Sequence, residues 1–197
     1  MTTVYTGASM SIDGYIAGPN ESGFEHLFQW YGNGDVEVPT TDPNMTLRMT
    51  QVSADHWRET LELTGALVVG RRLFDNMGGW GGQHPAGKPV VVLTHRDAPD
   101  GWEDKPFTFV TGGIERAIEV AAELAGGKGV GLNGGTIASQ ALDAGLVDEI
   151  WVDLVPVVLG GGTPFLSALG SAPIALEGPV KVTEGTSVTH IRYRVRR

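Results

Sequence analysis

The chain has 197 residues and a formal net charge of −9, so its field opposes phosphate backbones and anionic membrane surfaces; nucleic acid and membrane are not expected partners. It contains no cysteine, which excludes disulfides, thiolate metal sites, a cysteine nucleophile and a deaminase zinc centre of the Pro-Cys-x-x-Cys kind. With 41% hydrophobic and 19% charged residues the composition is globular, and we expect one domain spanning residues 1–197. The five histidines show no ligand spacing, so no metal is expected, and the absence of a long apolar run makes a cytoplasmic location the default.

Residues 3–9 are β-prone and almost uncharged, as in a strand covered on both faces. Residues 19–51 are rich in Gly, Pro and Asn, carry Phe24, Phe28, Trp30 and Tyr31, and read as a long insertion over a site, with one short helix near residues 25–31. Ser53 is placed to cap a helix running to Thr64, with Trp57, Leu61 and Leu63 inward and Arg58, Glu59 and Glu62 outward. A short buried strand over 66–70 then leads directly into a helical turn at 71–77. Further short strands are expected at 90–94 and 107–110, followed by a helix over 113–125 whose apolar residues Ile114, Ala117, Ile118, Ala121 and Leu124 keep helical period. A strand at 130–132, a helix over 134–145 and a strand over 147–155 with alternating Ile150, Val152 and Leu154 complete the alternating part. The tail over 181–197 reads as a hairpin turning at Glu184-Gly185-Thr186. Its Arg192, Arg194 and Arg196 share one face by alternation, read as solvated or as a subunit contact. Strands alternating with helices and then strands without them predict an α/β fold whose mostly parallel mixed sheet ends in an antiparallel C-terminal edge hairpin.

Three strand-to-helix or strand-end segments are suited to an anionic ligand. In Gly131-Leu132-Asn133-Gly134-Gly135-Thr136 the paired glycines let backbone amides approach a pyrophosphate, although two glycines also serve a tight turn. Gly70-Arg71-Arg72-Leu73 sets two guanidiniums at a helix start, where a phosphate grip and solvated surface charge are both readings. Leu93-Thr94-His95-Arg96 ends a buried strand, the end at which open α/β sheets gather ligands. Trp30, Trp57 and Trp80 are candidates for stacking on a flat ring or for core.

Together with Ser11-Ile12-Asp13-Gly14-Tyr15-Ile16-Ala17-Gly18, Val92-Leu93-Thr94, Val147-Asp148-Glu149-Ile150 and Pro156-Val157-Val158-Leu159-Gly160-Gly161-Gly162, these segments follow an order that resembles the dihydrofolate-reductase-like superfamily. Within it the chain is most similar to the reductase domain of bifunctional riboflavin-biosynthesis proteins. The resemblance implies a three-layer α/β/α fold, NADPH as hydride donor and a homodimer. It places Ala8 and Ile16 beside the nicotinamide, and Gly70, Arg71, Arg72 and Leu73 at the cofactor phosphates. Leu93, Thr94 and His95 fall near the adenosine, and Gly134, Gly135, Thr136 and Ile137 around the pyrophosphate. Those reductases carry Lys where this chain has Tyr15, a departure on the substrate side. The expected activity is an NADPH-dependent reduction of a small heterocycle, of the 5-amino-6-(5-phosphoribosylamino)uracil reductase type. A dihydrofolate or pterin reductase and a non-catalytic NADPH-binding sensor are the alternatives. Two carboxylates are candidate proton donors. Asp13 lies in the first motif, where Asp-Gly also makes a turn, and Asp55 stands one residue from where dihydrofolate reductases keep their pterin-binding acid.

Overall fold

A computed structural model describes residues 2–196. Its strands are β1 (Val4–Ser11), β2 (Tyr15–Ala17), β3 (Val36–Pro39), β4 (Thr46–Met49), β5 (Thr64–Gly70), β6 (Val90–Leu93), β7 (Phe107–Val110), β8 (Gly129–Asn133), β9 (Glu149–Val155), β10 (Thr163–Pro164), β11 (Leu176–Gly185) and β12 (Val188–Val195). The α-helices are α1 (Phe24–Leu27), α2 (Gln51–Leu63), α3 (Arg71–Asn76), α4 (Gly113–Leu124) and α5 (Thr136–Asp143). Eight strands form one sheet in the order β11-β12-β9-β1-β8-β5-β6-β7. The pairs from β9 across to β7 are parallel, and β12 runs antiparallel to both β9 and β11. This is the α/β fold with an antiparallel C-terminal edge hairpin that the pattern predicts.

Side-chain alternation divides the sheet into two faces. Val4, Val68, Val130, Leu132, Ile150 and Val152 pack with Ala117, Ile118 and Ala121 of α4 and Ile137 and Ala141 of α5. On the opposite face Val69, Val90 and Val92 pack with Phe74 of α3 and with Phe107. Farther along that face, Val155 and Val188 pack with Ala54 of α2, Trp30, Val38 and Met49. Helices on both faces make three layers. No helix among the described residues is long and apolar enough to cross a membrane.

Several local expectations are corrected. Thr50, not Ser53, caps α2: its side chain accepts from the Ser53 amide, and Ser53 is buried inside the helix, bonded to His190. Leu63 is exposed rather than inward, and Glu59 turns to Arg192 and Lys181 instead of to water. The helix expected over 134–145 is shorter, because Gly135 takes a positive φ of 79° that lies outside helical geometry. Residues 19–51 are not a plain loop: they hold α1, two short 3₁₀ turns and the β3–β4 hairpin. The C-terminal hairpin turns at Thr186-Ser187, with Gly185 paired to Val188. Gly185 is required elsewhere, since a Cβ there would lie 2.7 Å from Ser53 Oγ of α2; its place in the sequence marks a close approach, not the turn. Arg192 is neither solvated nor exposed. It is buried, bonds Glu59 at 3.0 Å and lies 3.9 Å over the Trp151 ring, while Arg194 and Arg196 face Glu177 on the surface.

Candidate active site

One large cavity of about 1340 Å³ runs between the α2/α3 face of the sheet and the segment 19–51. That exceeds the ~300–1,000 Å³ usual for a single small ligand, leaving room for two ligands side by side.

At one end the carboxyl ends of β5, β6 and β8 deliver Gly70, Thr94 and Gly134 to the cavity wall. Arg71 is fixed rather than waving in solvent. Its Nε donates to Asp75 at 2.7 Å and its Nη1 to the Asp97 carbonyl at 3.0 Å. The same Asp75 takes Arg96 Nη2 at 2.7 Å. Arg72 donates to Thr163 Oγ1 at 3.0 Å and stands 3.6 Å from Glu21, which bridges onward to Asn76. Among the described residues no side chain caps α5, which leaves its first amides without a side-chain partner. A Cβ on Gly134 would meet Phe165 at 3.0 Å and Ile16 at 3.1 Å, so a backbone bare of side chain is needed there. The expected cofactor residues Ala8, Ile16, Gly70, Arg71, Arg72, Leu73, Leu93, Thr94, His95, Gly134, Gly135, Thr136 and Ile137 all line this one cavity. They are chemically fit for a dinucleotide, with cations and uncapped amides beside apolar Ala8 and Ile16.

The other end is walled by Phe24, Phe28, Tyr31, Leu47, Trp57 and Leu61, so 19–51 and α2 together supply its apolar side. Of the three candidate tryptophans, Trp30 is fully buried core, bonding Ser9 Oγ through Nε1 at 3.0 Å, whereas Trp57 and Trp80 line the cavity. The sheet floor carries Tyr5, stacked on Trp151 at 3.7 Å, and Trp151 in turn lies under Arg192. Burial pushes the Tyr5 phenol up to about 12, against the opposing hydrogen bond to Thr64, so it stays neutral.

Neither candidate proton donor borders the cavity. Asp55 projects from the exposed side of α2, bonded to Gln51 at 2.8 Å and Arg58 at 3.1 Å. One residue along a helix is a rotation of about 100°, and it is His56, not Asp55, that faces inward. Asp13 accepts from Ser11 Oγ at 2.7 Å and from the amides of Leu159 and Gly160 at 3.1 and 2.7 Å, clamping the 157–162 loop to the first motif. The Ser11 hydroxyl and those amides hold it at about 2, a carboxylate with no proton to give at neutral pH.

The carboxylates that do line the cavity, among the described residues, are Glu21 and Asp153. Asp153 had a sequence signal. The alternation that buries Ile150 and Val152 against α4 and α5 sends Trp151 and Asp153 to the other face, and β12 pairs His190 with Asp153 and Arg192 with Trp151. Asp153 Oδ1 accepts from His190 Nδ1 at 2.7 Å and lies 3.1 Å from His56 Nε2. The two imidazoles stack 3.8 Å apart, and His190 Nε2 meets Ser53 Oγ at 3.2 Å. Burial alone would raise the Asp153 carboxyl, but the hydrogen bonds from His190 and His56 hold it below the ordinary carboxylate value. Burial lowers His56 more than Asp153 raises it, so that ring is neutral.

A three-layer α/β sheet with an anion-ready strand-end cleft opening into an apolar chamber defines a domain of the dihydrofolate-reductase-like class. The sequence matches the RibD C-terminal domain over residues 2–186, and the chain belongs to that family. It is similar in structure to a candidate riboflavin biosynthesis protein of Shewanella sp. PV-4, at 25% identity, a TM-score of 0.74 and full coverage of both chains. A Thermotoga maritima diaminohydroxyphosphoribosylaminopyrimidine deaminase/5-amino-6-(5-phosphoribosylamino)uracil reductase matches 99% of this chain at 14% identity and a TM-score of 0.61; the match spans 57% of that longer chain. Enterococcus faecalis dihydrofolate reductase, solved with NADP(H), matches 99% of this chain and 97% of its own at 17% identity and a TM-score of 0.54. A comparison with curated proteins found no match.

Proposed function

We propose that the chain is an NADPH-dependent reductase of a small nitrogen heterocycle, of the riboflavin-pathway type. The observation that carries this reading is the single cavity joining Arg71, Arg72 and the uncapped start of α5 to an apolar aromatic chamber. NADPH supplies a hydride when bound. The chain's part is to grip phosphates with Arg71 and Arg72, to let backbone approach at Gly134, to keep the ring side dry with Ile16, Trp57 and Phe28, and to hold the two ligands against each other. Family membership and the fold shared with reductases support it. A homodimer in the cytoplasm is part of the same proposal. The dimer has support in the exposed apolar residues Leu176, Val180 and Val182 on edge strand β11.

Titration with NADPH and NADH, followed by cofactor fluorescence, tests the reading alongside Arg71→Ala. The expected result is a preference for NADPH and about tenfold weaker binding in the variant, the size of one charge-assisted hydrogen bond. Steady oxidation of NADPH with 5-amino-6-(5-phosphoribosylamino)uracil then separates an enzyme from a sensor. Failure of the wild-type protein to bind either nucleotide overturns the proposal.

A further inference from the structure

The chamber end of the cavity carries an acid held ready for a ligand. Asp153 Oδ1 is occupied by the two histidines, whereas the hydrogen bonds of the described residues leave Oδ2 without a donor. The side chain is 21% exposed and borders the cavity, so that oxygen is open to the cavity and not sealed in the core. The Tyr31 hydroxyl, the Trp57 indole N–H and the Thr60 hydroxyl line the same cavity, but no hydrogen bond of the described residues joins any of them to this carboxylate. Phe28 and Leu61 are apolar, and the cavity's arginines Arg71, Arg72 and Arg96 all belong to the α3 and β6 end. A partly desolvated carboxylate with an unused acceptor is costly to leave unpaired, and a ligand N–H placed there gains a charge-assisted hydrogen bond.

The histidines fix how that acceptor is presented. His190 donates through Nδ1 to Oδ1, while its Nε2 is hydrogen-bonded to the Ser53 hydroxyl. His56 approaches the same Oδ1 with Nε2 from the stacked ring above. Both rings are locked in turn by Trp30, whose edge meets His190 at 5.0 Å and His56 at 6.5 Å. The carboxylate therefore cannot turn without breaking two contacts at once, and Oδ2 keeps one direction.

We propose that Asp153 is the substrate anchor of this cavity, accepting through Oδ2 a hydrogen bond from a ring N–H of a flat, uncharged pyrimidine-type heterocycle, with His56 and His190 as positioning residues. The proposal rests on the reductase reading for the identity of the neighbouring ligand. It also orients the pair: the Asp153 charge repels phosphate, and the arginines at the far end attract it, so the two ligands sort to opposite ends of the cavity.

The test uses full-length protein saturated with NADPH and the probe 5,6-diaminouracil, with binding measured by calorimetry. Its comparison compound is the analogue with both ring nitrogens methylated, which needs no variant. The wild type is expected to bind the probe at least tenfold more tightly than the methylated analogue. Asp153→Asn should lose about tenfold in probe affinity while its NADPH affinity stays within twofold of wild type, which also reports that the variant is folded. His56→Gln, which keeps the carboxylate but loosens it, should lose less than Asp153→Asn. Equal binding of probe and methylated analogue, an unchanged affinity in a folded Asp153→Asn, or no probe binding at all overturns the assignment. Metal analysis finding one tightly held divalent ion per chain, lost in Asp153→Asn, also overturns it, because the cluster would then be a metal site. Failure of the wild type to bind NADPH overturns instead the reductase reading, and probe binding by the nucleotide-free protein still decides the role of Asp153.

Discussion

Trp30 ties the 19–51 segment to the sheet together with Val38 and Met49, and its truncation should be among the most damaging single changes in the protein. It is fully buried, donates from Nε1 to Ser9 Oγ at 3.0 Å, and packs against Tyr31, Trp57 and both histidines of the Asp153 cluster. Replacing a buried Trp by Ala costs about 3–5 kcal/mol in lost burial and cavity formation, and the widowed Ser9 hydroxyl adds about 1 kcal/mol. For a chain of this length that corresponds to a fall in Tm on the order of 10 °C. Trp30→Phe keeps most of the apolar volume and loses mainly the hydrogen bond, so it should cost about 1–2 kcal/mol. Phe28→Ala, at a residue 40% exposed two positions away, should cost under about 1 kcal/mol. Urea unfolding followed by far-UV circular dichroism orders the three variants. A Trp30→Ala loss below about 1 kcal/mol with an unchanged slope would refute the reasoning, since the segment would then not be packed on the sheet. A fall in slope would instead show that the segment detaches before the sheet unfolds.

Asp55→Asn should leave NADPH and probe affinity within twofold of wild type and change stability by under about 0.5 kcal/mol, because its partners Gln51 and Arg58 are on the surface; binding and urea titrations check this. Asp13 has a folded pKa of about 2 against an ordinary 3.8, so the unfolded chain binds more protons between these values. Its contribution is therefore present above about pH 4 and is lost as pH falls toward 2. Asp13→Asn should be less stable than wild type at neutral pH, and the difference should shrink across that window in acid unfolding curves. Burial lowers His84 to about 4 from 6.5, so the folded state resists its protonation. Stability should fall as pH drops from about 6.5 toward 4, and His84→Gln should flatten that slope, read by thermal melts and by the ring's NMR titration.

Much of the architecture was legible in local pattern. Continuous apolar runs such as Val90–Leu93 mark strands covered on both faces, and the period of Ile114, Ala117, Ile118 and Ala121 marks a helix packed on a sheet. Glycine pairs and Arg71-Arg72 marked strand ends that border one cavity, because strand-end placement follows from sequence order in an open α/β sheet. Register was harder to read. Thr50 and Ser53 are both competent caps of α2 by type, and whether Asp55 or His56 faces inward is set by how the helix packs on the sheet. Gly185 was misread as a turn residue because its cause lies in another element, the approach of α2.

The sequence by itself determined the fold class and the order of the main-sheet strands and their helices, since these follow from periodicity and from backbone chemistry at short range. Only the tertiary structure decided which acid borders the chamber. Asp153, His56 and His190 come from β9, α2 and β12, up to 134 residues apart in the chain, and no local pattern brings them within hydrogen-bonding distance. Their meeting is set by the strand register of β9 against β12 and by the rotation of α2, which depend on the packing of the whole sheet.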